Sequence, residues 1–232
     1  MIQYADMKRG SFLSRPNRFL AHVVIDGKEE ICHVKNTGRC RELLQPGATV
    51  WCQHHDDPNR KTRWSLITVR KGERLVNIDS QVPNELAFDY IKNGGLGFVP
   101  DYVKAEKTYG QSRFDLYYEA GGKRGFVEVK GVTLEEHGVA RFPDAPTERG
   151  KKHLLELRQA VENGYEAWVL FVLAMTDMVR FEPNWPRDPE FSEALCHAAK
   201  HGVHIRAVEC AVTEDTIAIT KEVPVHLWEV CR

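Results

Sequence analysis

Three residues of types that can form a metal-dependent hydrolytic site flank one short turn: Asp115 precedes it, and Glu128 and Lys130 follow it. The turn is Gly121-Gly122, a dipeptide typical of two-residue β-hairpins, and the residues on both sides alternate between polar and apolar. A turn centred between the two glycines places Asp115 opposite Glu128, and Arg113 opposite Lys130. Because side chains alternate between the two faces of a strand, we expect Asp115, Glu128 and Lys130 on one face of a sheet.

The opposite face of this hairpin is apolar and should pack on the core; its residues are Phe114, Leu116, Tyr118, Val127 and Val129. Two carboxylates opposed across a ladder repel each other, so their pairing alone stabilises nothing. A divalent cation such as Mg²⁺ or Mn²⁺, which prefers oxygen ligands, would remove that repulsion. Glu-x-Lys alone would indicate only a solvated ion pair, but the opposing aspartate and the apolar face favour a metal site.

Predicted helices and strands surround the hairpin. A helix over residues 85–92 includes Glu85, and a helix that begins at Thr147 continues to Gly164 with an apolar stripe. The remaining predicted elements are strands at 99–105, 138–142, 167–175 and 203–208 and a helix at 189–201. The order helix, three strands, helix, strand predicts a mixed α/β sheet flanked by helices.

Residues 1–80 have a different pattern, with five short strand-like runs and one helix-like piece at residues 36–44. This pattern predicts a small β-barrel of OB type. The change of pattern near Ser80 predicts two domains, an OB-like nucleic-acid-binding domain at 1–80 and a mixed α/β domain at 81–232.

The bulk composition is that of a folded protein. The chain has 232 residues, 42% hydrophobic and 28% charged, with a formal net charge of -1, so nucleic-acid contacts must come from local basic clusters. The sequence lacks the pattern of a signal peptide and any apolar run long enough to cross a membrane. Six cysteines without a Cys-x-x-Cys pair predict reduced thiols, and we expect a cytoplasmic protein with no membrane partner.

A second block, residues 142–153, surrounds the start of the helix at Thr147. Free N–H groups at a helix N-terminus attract phosphate, and this helix adds Arg149, Lys152 and His153 in its first turns. Arg149 and His153 are four residues apart and therefore share a face. Charged residues here could simply face solvent, but the prolines and glycine around the helix start favour phosphate contacts.

Two basic clusters in the first domain combine arginine and lysine with asparagine. Arg15 and Arg18 belong to the first cluster, and Lys35, Asn36 and Arg39 belong to the second. Such side chains contact nucleic-acid backbones and bases, so we expect nucleic acid to bind here.

The aspartate followed about a dozen residues later by Glu-x-Lys resembles the PD-(D/E)xK nuclease superfamily, whose core has the same order of elements. The resemblance implies that Asp115, Glu128 and Glu85 hold Mg²⁺ or Mn²⁺. Lys130 completes the catalytic set by assisting the attacking water. This chemistry would be hydrolysis of a phosphodiester.

Three longer motifs resemble the sugar fermentation stimulation protein A family over nearly the whole chain: residues 33–39, 126–133 and 142–150. That family is described as DNA-binding, with an OB-like domain joined to a nuclease-like domain. Lys35 departs from the proline expected in the first motif, a change that would loosen this loop.

Two functions therefore remain in competition. The complete acidic set favours a metal-dependent nuclease acting on DNA or RNA. The alternative is a non-enzymatic DNA-binding regulator of sugar (maltose) metabolism genes that retains a nuclease fold. Neither strand preference nor oligomeric state follows from the sequence, although a dimer is compatible with it.

Overall fold

The N-terminal half forms a closed barrel in the computed structural model, which describes residues 1–36 and 38–227. The strands are β1 (Ile2–Gln3), β2 (Met7–Ser14), β3 (Leu20–Ile25), β4 (Lys28–Val34), β5 (Thr49–His54), β6 (Trp64–Lys71) and β7 (Arg74–Asn77). The barrel sheet has the order β4-β3-β2-β5-β6-β7, and a parallel pairing of β4 with β6 closes five strands into a barrel. The predicted OB-type barrel is confirmed.

The helix-like piece predicted at residues 36–44 is not a helix in its described residues. Turns occur instead, with Leu43 and Leu44 both donating backbone hydrogen bonds to the Cys40 carbonyl. Cys40 has a φ of 45°, a left-handed conformation that interrupts a right-handed helix.

The second half is a mixed sheet between helices, as predicted. Its elements are α1 (Val82–Lys92), β8 (Tyr102–Tyr109), β9 (Ser112–Ala120), β10 (Lys123–Val132), β11 (Glu135–Glu136), β12 (Val139–Phe142), α2 (Glu148–Glu162), β13 (Glu166–Leu173), β14 (Arg180–Pro183), α3 (Pro189–Lys200), β15 (His204–Val212) and β16 (Thr216–Val223). Seven strands pair in the order β1-β16-β15-β13-β10-β9-β8, and β10, β13 and β15 are parallel. Helix α1 packs on one face, and α2 and α3 pack on the other.

The β9–β10 hairpin has the predicted register from its turn to the pair Leu116–Val127. Gly121 and Gly122 have φ values of 54° and 81°, as a type I′ turn requires. The ladder ends at the pair Leu116–Val127. Contrary to the prediction, Asp115 and Glu128 therefore do not pair through their backbones. Strand β10 instead continues along β13, and β9 continues along β8.

The side chains of β9 do not all follow the predicted alternation. Leu116 and Tyr118 pack towards α1, whereas Phe114 packs on the α2 side against Phe126. Glu106 of the neighbouring strand has a φ of 55°, and the β8–β9 ladder omits the pairing between Glu106 and Asp115. This local irregularity explains why Phe114 changes faces beside Asp115.

The two halves share contacts and part of one core. Strand β1 pairs with β16, so residues 2–3 lie in the second sheet, although the predicted first domain included them. The Asn77 N–H donates to the Ala174 carbonyl, and Lys71 and Arg74 of the barrel both form ion pairs with the buried Glu135. One hydrophobic cluster contains side chains from both halves. These contacts fix the barrel loops against the mixed sheet.

Among the described residues, Cys32, Cys40, Cys52 and Cys210 are free thiols, as predicted, and all of them are buried. Cys196 differs from the prediction of reduced thiols because it is disulfide-bonded. In the described part of the chain, no helix has the length and apolar character needed to span a membrane.

Candidate active site

Asp115 occupies the point where the hairpin ladder opens. Its Oδ2 accepts a hydrogen bond of 2.8 Å from the Val129 N–H, and its Oδ1 accepts one of 3.0 Å from Asn84 Nδ2 on α1. The side chain thus takes the place of a backbone partner and holds β9 close to β10. Burial, and secondly the negative charge of Glu128, raises the pKa of the Asp115 carboxyl above its ordinary value.

Glu128 is buried on the α2 side of β10 and accepts two strong hydrogen bonds at one oxygen. His153 Nδ1 and Lys130 Nζ lie 2.5 Å and 2.6 Å from its Oε1. Burial acts to raise the pKa of Glu128. The His153 hydrogen bond and the Lys130 charge act in the opposite direction and hold that pKa below its ordinary value. The carboxylate is therefore kept ionised inside the protein.

His153 links Glu128 to the start of α2. Its ring packs edge-on against Phe114, and its Nε2 accepts a long hydrogen bond of 3.4 Å from Arg149 Nε. Donation from Arg149 to Nε2 assigns the ring proton to Nδ1, which then donates to Glu128. We had expected His153 to contact phosphate at the surface, but its side chain is 6% exposed and belongs to the carboxylate site.

The sequence contained a signal for this placement. His153 precedes Leu157 by four residues and Leu154 by one, and both leucines are on the buried stripe of α2. A histidine on that stripe must face the sheet.

The second oxygen of Glu128, Oε2, is buried and has no hydrogen-bond partner in the described part of the chain. An ionised oxygen without a partner is costly unless a cation or a donor reaches it. The pKa of Asp115 is raised first by burial and second by the negative charge of Glu128. A divalent cation held by both carboxylates would offset their charges and give Glu128 Oε2 a partner, so these residues fit Mg²⁺ or Mn²⁺.

The predicted third acidic ligand is not in place. Glu85 is exposed, and Asn84, the preceding residue of α1, is the one that contacts Asp115. The pKa of the Tyr4 hydroxyl is raised, mainly by burial and to a smaller extent by the charges of Asp79 and Glu85. The charge of Glu85 therefore contributes to the environment of Tyr4. Within residues 1–36 and 38–227, no group of three acidic, histidine or cysteine side chains forms a metal cluster. Backbone oxygens or water would have to complete the coordination.

Helix α2 begins at a well-capped terminus close to His153. Thr147 accepts a hydrogen bond from the Gly150 N–H, and Asp188 accepts one from the Thr147 N–H. Arg149 is exposed, and Lys152 is exposed with a loose ion pair of 3.7 Å to Glu156. Their exposure is compatible with the predicted phosphate contacts, which stay a prediction.

The basic residues of the barrel loops divide into two groups. Arg15 donates to four backbone carbonyl oxygens, those of Arg18, Asn36, Gly38 and Arg39, at 2.6–2.8 Å. Both terminal nitrogens of its guanidinium are engaged in these bonds and its Nε is buried, so Arg15 is not available for phosphate, contrary to the prediction.

Lys35 and Asn36 also have structural roles where we had expected nucleic-acid contacts. Lys35 Nζ forms an ion pair of 2.8 Å with the buried Asp79. Asn36 accepts from the Gly38 N–H and donates to the Ile78 carbonyl. These bonds stiffen the loop despite the lysine at the expected proline position. By contrast, Arg18, Arg39 and Arg41 are exposed.

Arg15→Ala is expected to lower the free energy of unfolding by about 2 kcal/mol, because four carbonyl groups lose a charged donor. Arg15→Lys should recover little of this loss, since an ammonium group cannot reproduce the guanidinium fork. Denaturant unfolding measures both, with Arg18→Ala as the control, expected to change stability by less than about 0.5 kcal/mol. Equal effects at positions 15 and 18 would contradict the structural role of Arg15.

Comparison with known proteins agrees with this architecture. A family model described as "SfsA N-terminal OB domain" matches residues 13–78, and one described as "Sugar fermentation stimulation protein RE domain" matches residues 81–216. The chain belongs to the sugar fermentation stimulation protein (SfsA) family. The two matched segments meet at the junction between the barrel and the mixed sheet.

Individual SfsA relatives are similar over their full length. A sugar fermentation stimulation protein homolog of Desulfitobacterium hafniense (strain Y51) is 57% identical, with 98% of this chain and 100% of the relative covered. One from Clostridium beijerinckii is 52% identical, with 97% and 100% covered. The solved structure of Pyrococcus furiosus SfsA in complex with Ca²⁺ is similar with a TM-score of 0.87 and 29% identity, over 97% of this chain and 98% of that one.

Proposed function

We propose that this SfsA protein is a Mg²⁺- or Mn²⁺-dependent phosphodiesterase that acts on nucleic acid. The observation that supports this proposal best is Glu128 Oε2, a buried oxygen of an ionised carboxylate that has no hydrogen-bond partner among the described residues. A second carboxylate, that of Asp115, has its pKa raised by burial and by the charge of Glu128. Such an arrangement lowers the stability of the fold, and a bound divalent cation would offset that loss.

The metal would be held by Asp115 and Glu128, and when bound it would polarise the phosphate and acidify the attacking water. The chain's own residues prepare that site. The Val129 N–H and Asn84 orient the Asp115 carboxylate, and His153 and Lys130 hold Glu128 Oε1 so that Oε2 is left for the ion.

Lys130 is the residue suited to assist the nucleophile. Its ammonium group is 2.6 Å from Glu128 Oε1, and its side chain remains 19% exposed, so it can also reach water or a phosphate oxygen. A positive charge there offsets the charge that develops on the phosphoryl oxygens during attack. Arg149 and Lys152, exposed on the first turns of α2, would contact a neighbouring phosphate.

The metal assignment agrees with what is known of a relative. The Pyrococcus furiosus SfsA structure is described as a complex with Ca²⁺, a hard cation that binds oxygen ligands. The OB domain that both proteins share supports nucleic acid as the substrate, since OB folds often bind oligonucleotides.

A DNA-binding regulator without catalysis is the second candidate. One observation favours it: among the described residues only two carboxylates converge, and Glu85 does not join them. In that case the nuclease-like domain would supply a scaffold and the OB domain would supply the binding.

The test is incubation of the protein with end-labelled single- and double-stranded DNA and RNA, in Mg²⁺, in Mn²⁺ and in EDTA. Glu128→Gln is the matched control, because the amide preserves shape while removing the charge. We expect metal-dependent cleavage by the unchanged protein and none by the variant. Binding without cleavage of any substrate would reject the enzyme and favour the regulator.

A further inference from the structure

We propose that a single strand of nucleic acid binds in the cleft between the barrel and the mixed sheet, guided by Arg18, Arg39, Arg41 and Arg187. The proposal rests on the function proposed above and specifies the form of its substrate. We call this groove the interdomain cleft. The barrel loops at residues 38–42 form one wall, and the loop at residues 142–147 forms the other.

The interdomain cleft adjoins a smaller cavity, with which it shares lining residues. The cleft has a volume of about 580 Å³, and the cavity has one of about 200 Å³. Both are lined by Gly38, Leu134, Phe142 and Asp144. The smaller cavity is also lined by Gly131, which follows Lys130 on β10, and by Pro83, which precedes Asn84 on α1.

On its other side, the interdomain cleft opens onto the surface of the barrel. Arg18, Arg39 and Arg41 line both the cleft and a neighbouring groove of about 510 Å³ on the barrel loops. The cleft thus adjoins the groove of the barrel arginines on one side and, on the other, a cavity lined by the residue that follows Lys130 and the residue that precedes Asn84.

The charge of the interdomain cleft is opposite to that of the whole chain. The protein has a formal net charge of -1, yet four arginines line the cleft against two carboxylates, those of Glu42 and Asp144. Arg18, Arg39 and Arg41 are exposed, and in the described part of the chain their guanidinium groups have no side-chain partner. Free arginines in a concave groove are suited to a phosphate backbone.

The shape of the interdomain cleft selects a single strand. Where the two walls meet, Gly38 lies so close to the opposite loop that a Cβ at position 38 would be 2.7 Å from Asp144 Oδ2. The cleft encloses about 580 Å³, the volume of a pocket for a small ligand. It can therefore admit part of a single strand with unpaired bases, whereas a duplex, whose major groove alone is about 12 Å wide, is too large for it.

An exposed aromatic residue is adjacent in sequence to Arg18, one of the arginines that line the cleft. Phe19 follows Arg18 and is 57% exposed, an unusual position for so large an apolar side chain. Unpaired bases stack on such rings without regard to sequence, whereas the bases of a duplex are already stacked on each other.

The test compares binding of fluorescein-labelled oligothymidylate and of a duplex of equal length by anisotropy, in EDTA so that no cleavage occurs. We expect tighter binding of the single strand. The triple variant R18A/R39A/R41A should weaken that binding by about tenfold or more and lower its salt slope by roughly 2, at about 0.7 per lost contact. Phe19→Ala, a single exposed change, provides a second variant and should weaken binding by about tenfold.

The matched control is R9A/K61A/R63A, which removes the same charge from exposed positions of the barrel that do not line the cleft. We expect its single-strand affinity to stay within about twofold of the unchanged protein. Equal losses in both triple variants, or a preference for duplex, would overturn the proposal. Circular dichroism of each variant establishes that it is folded.

The two proposals fail in different ways. Cleavage that depends on Glu128 but is insensitive to R18A/R39A/R41A would overturn the cleft and leave the phosphodiesterase standing. Single-strand binding that depends on the cleft arginines, without cleavage of any substrate, would support the cleft and reject the enzyme.

Discussion

Asp115→Asn is expected to lower the affinity for Mn²⁺ by more than about tenfold, because it removes one of the two charged oxygen donors of the site. The amide can keep the bond from the Val129 N–H, and Asn84 can turn its own amide to restore the second hydrogen bond. The substitution therefore changes charge more than shape. Isothermal titration with Mn²⁺ measures the effect.

The same variant should not lose stability when metal is absent. The pKa of Asp115 is raised in the folded protein, so the folded state binds its proton more tightly than the unfolded state does. Stability falls as the pH rises above the ordinary value of 3.8 through the raised value. Asparagine does not ionise and has no such loss, so the stability of the variant relative to the unchanged protein should improve as the pH rises from about 4 through the raised pKa of Asp115.

Asp101→Asn is the matched control for Asp115. Asp101 is an exposed aspartate that accepts a hydrogen bond from the Gly121 N–H at the tip of the same hairpin. Its replacement should leave Mn²⁺ affinity unchanged. Thermal unfolding with and without Mn²⁺ should show metal stabilisation in the Asp101 variant and none in the Asp115 variant. An unchanged Mn²⁺ affinity in Asp115→Asn would refute the metal site.

His153→Phe is expected to destabilise the protein by about 3 kcal/mol at pH 7, because it removes a donor from a buried carboxylate. The phenyl ring can keep the edge-on contact with Phe114, so the effect reports the hydrogen bond more than packing. His153→Asn places an amide N–H near the position of Nδ1 and should recover most of the loss. Denaturant unfolding of the two variants gives the comparison.

A double-mutant cycle with Glu128→Gln separates the charge from the contact. In the Glu128→Gln background, His153→Phe should lower the free energy of unfolding by only about 1 kcal/mol. The coupling free energy between the two side chains is then about 2 kcal/mol. The pKa of Glu128 is held below its ordinary value of 4.5, so this stabilisation is present above that value and is lost as the pH falls through the depressed pKa. Additive effects of the two substitutions, or a coupling that persists at low pH, would show that His153 does not act on the ionised carboxylate.

Much of the fold could be predicted because its signals are local. Gly121-Gly122 can adopt the two positive φ angles of a type I′ turn, and this turn sets the register as far as Leu116 and Val127. Thr147 as a helix cap and the apolar run at residues 167–175 likewise identified α2 and β13. Local sequence therefore determined which strands bring Asp115 and Glu128 together.

Local patterns misled where a distant partner decides the conformation. Residues 36–44 have a helix-like composition, yet Asn36 and Arg15 hold this loop by hydrogen bonds to groups elsewhere in the fold. Strand β1 pairs with β16, more than two hundred residues away, so its place in the second sheet has no local signal.

The sequence by itself determined two adjoining strands with an aspartate, a glutamate and a lysine, preceded by an OB barrel. Only the tertiary structure decided which neighbours complete the site: Asn84 in place of Glu85, and His153 on Glu128 instead of at the surface. It also decided which arginines can reach a ligand: Arg15 donates to backbone carbonyl groups, whereas Arg39 is exposed and has no side-chain partner among the described residues. The physical reason is that these choices depend on how each helix and loop is rotated against the sheet. That rotation is set by packing across the whole molecule, not by residues close in the chain.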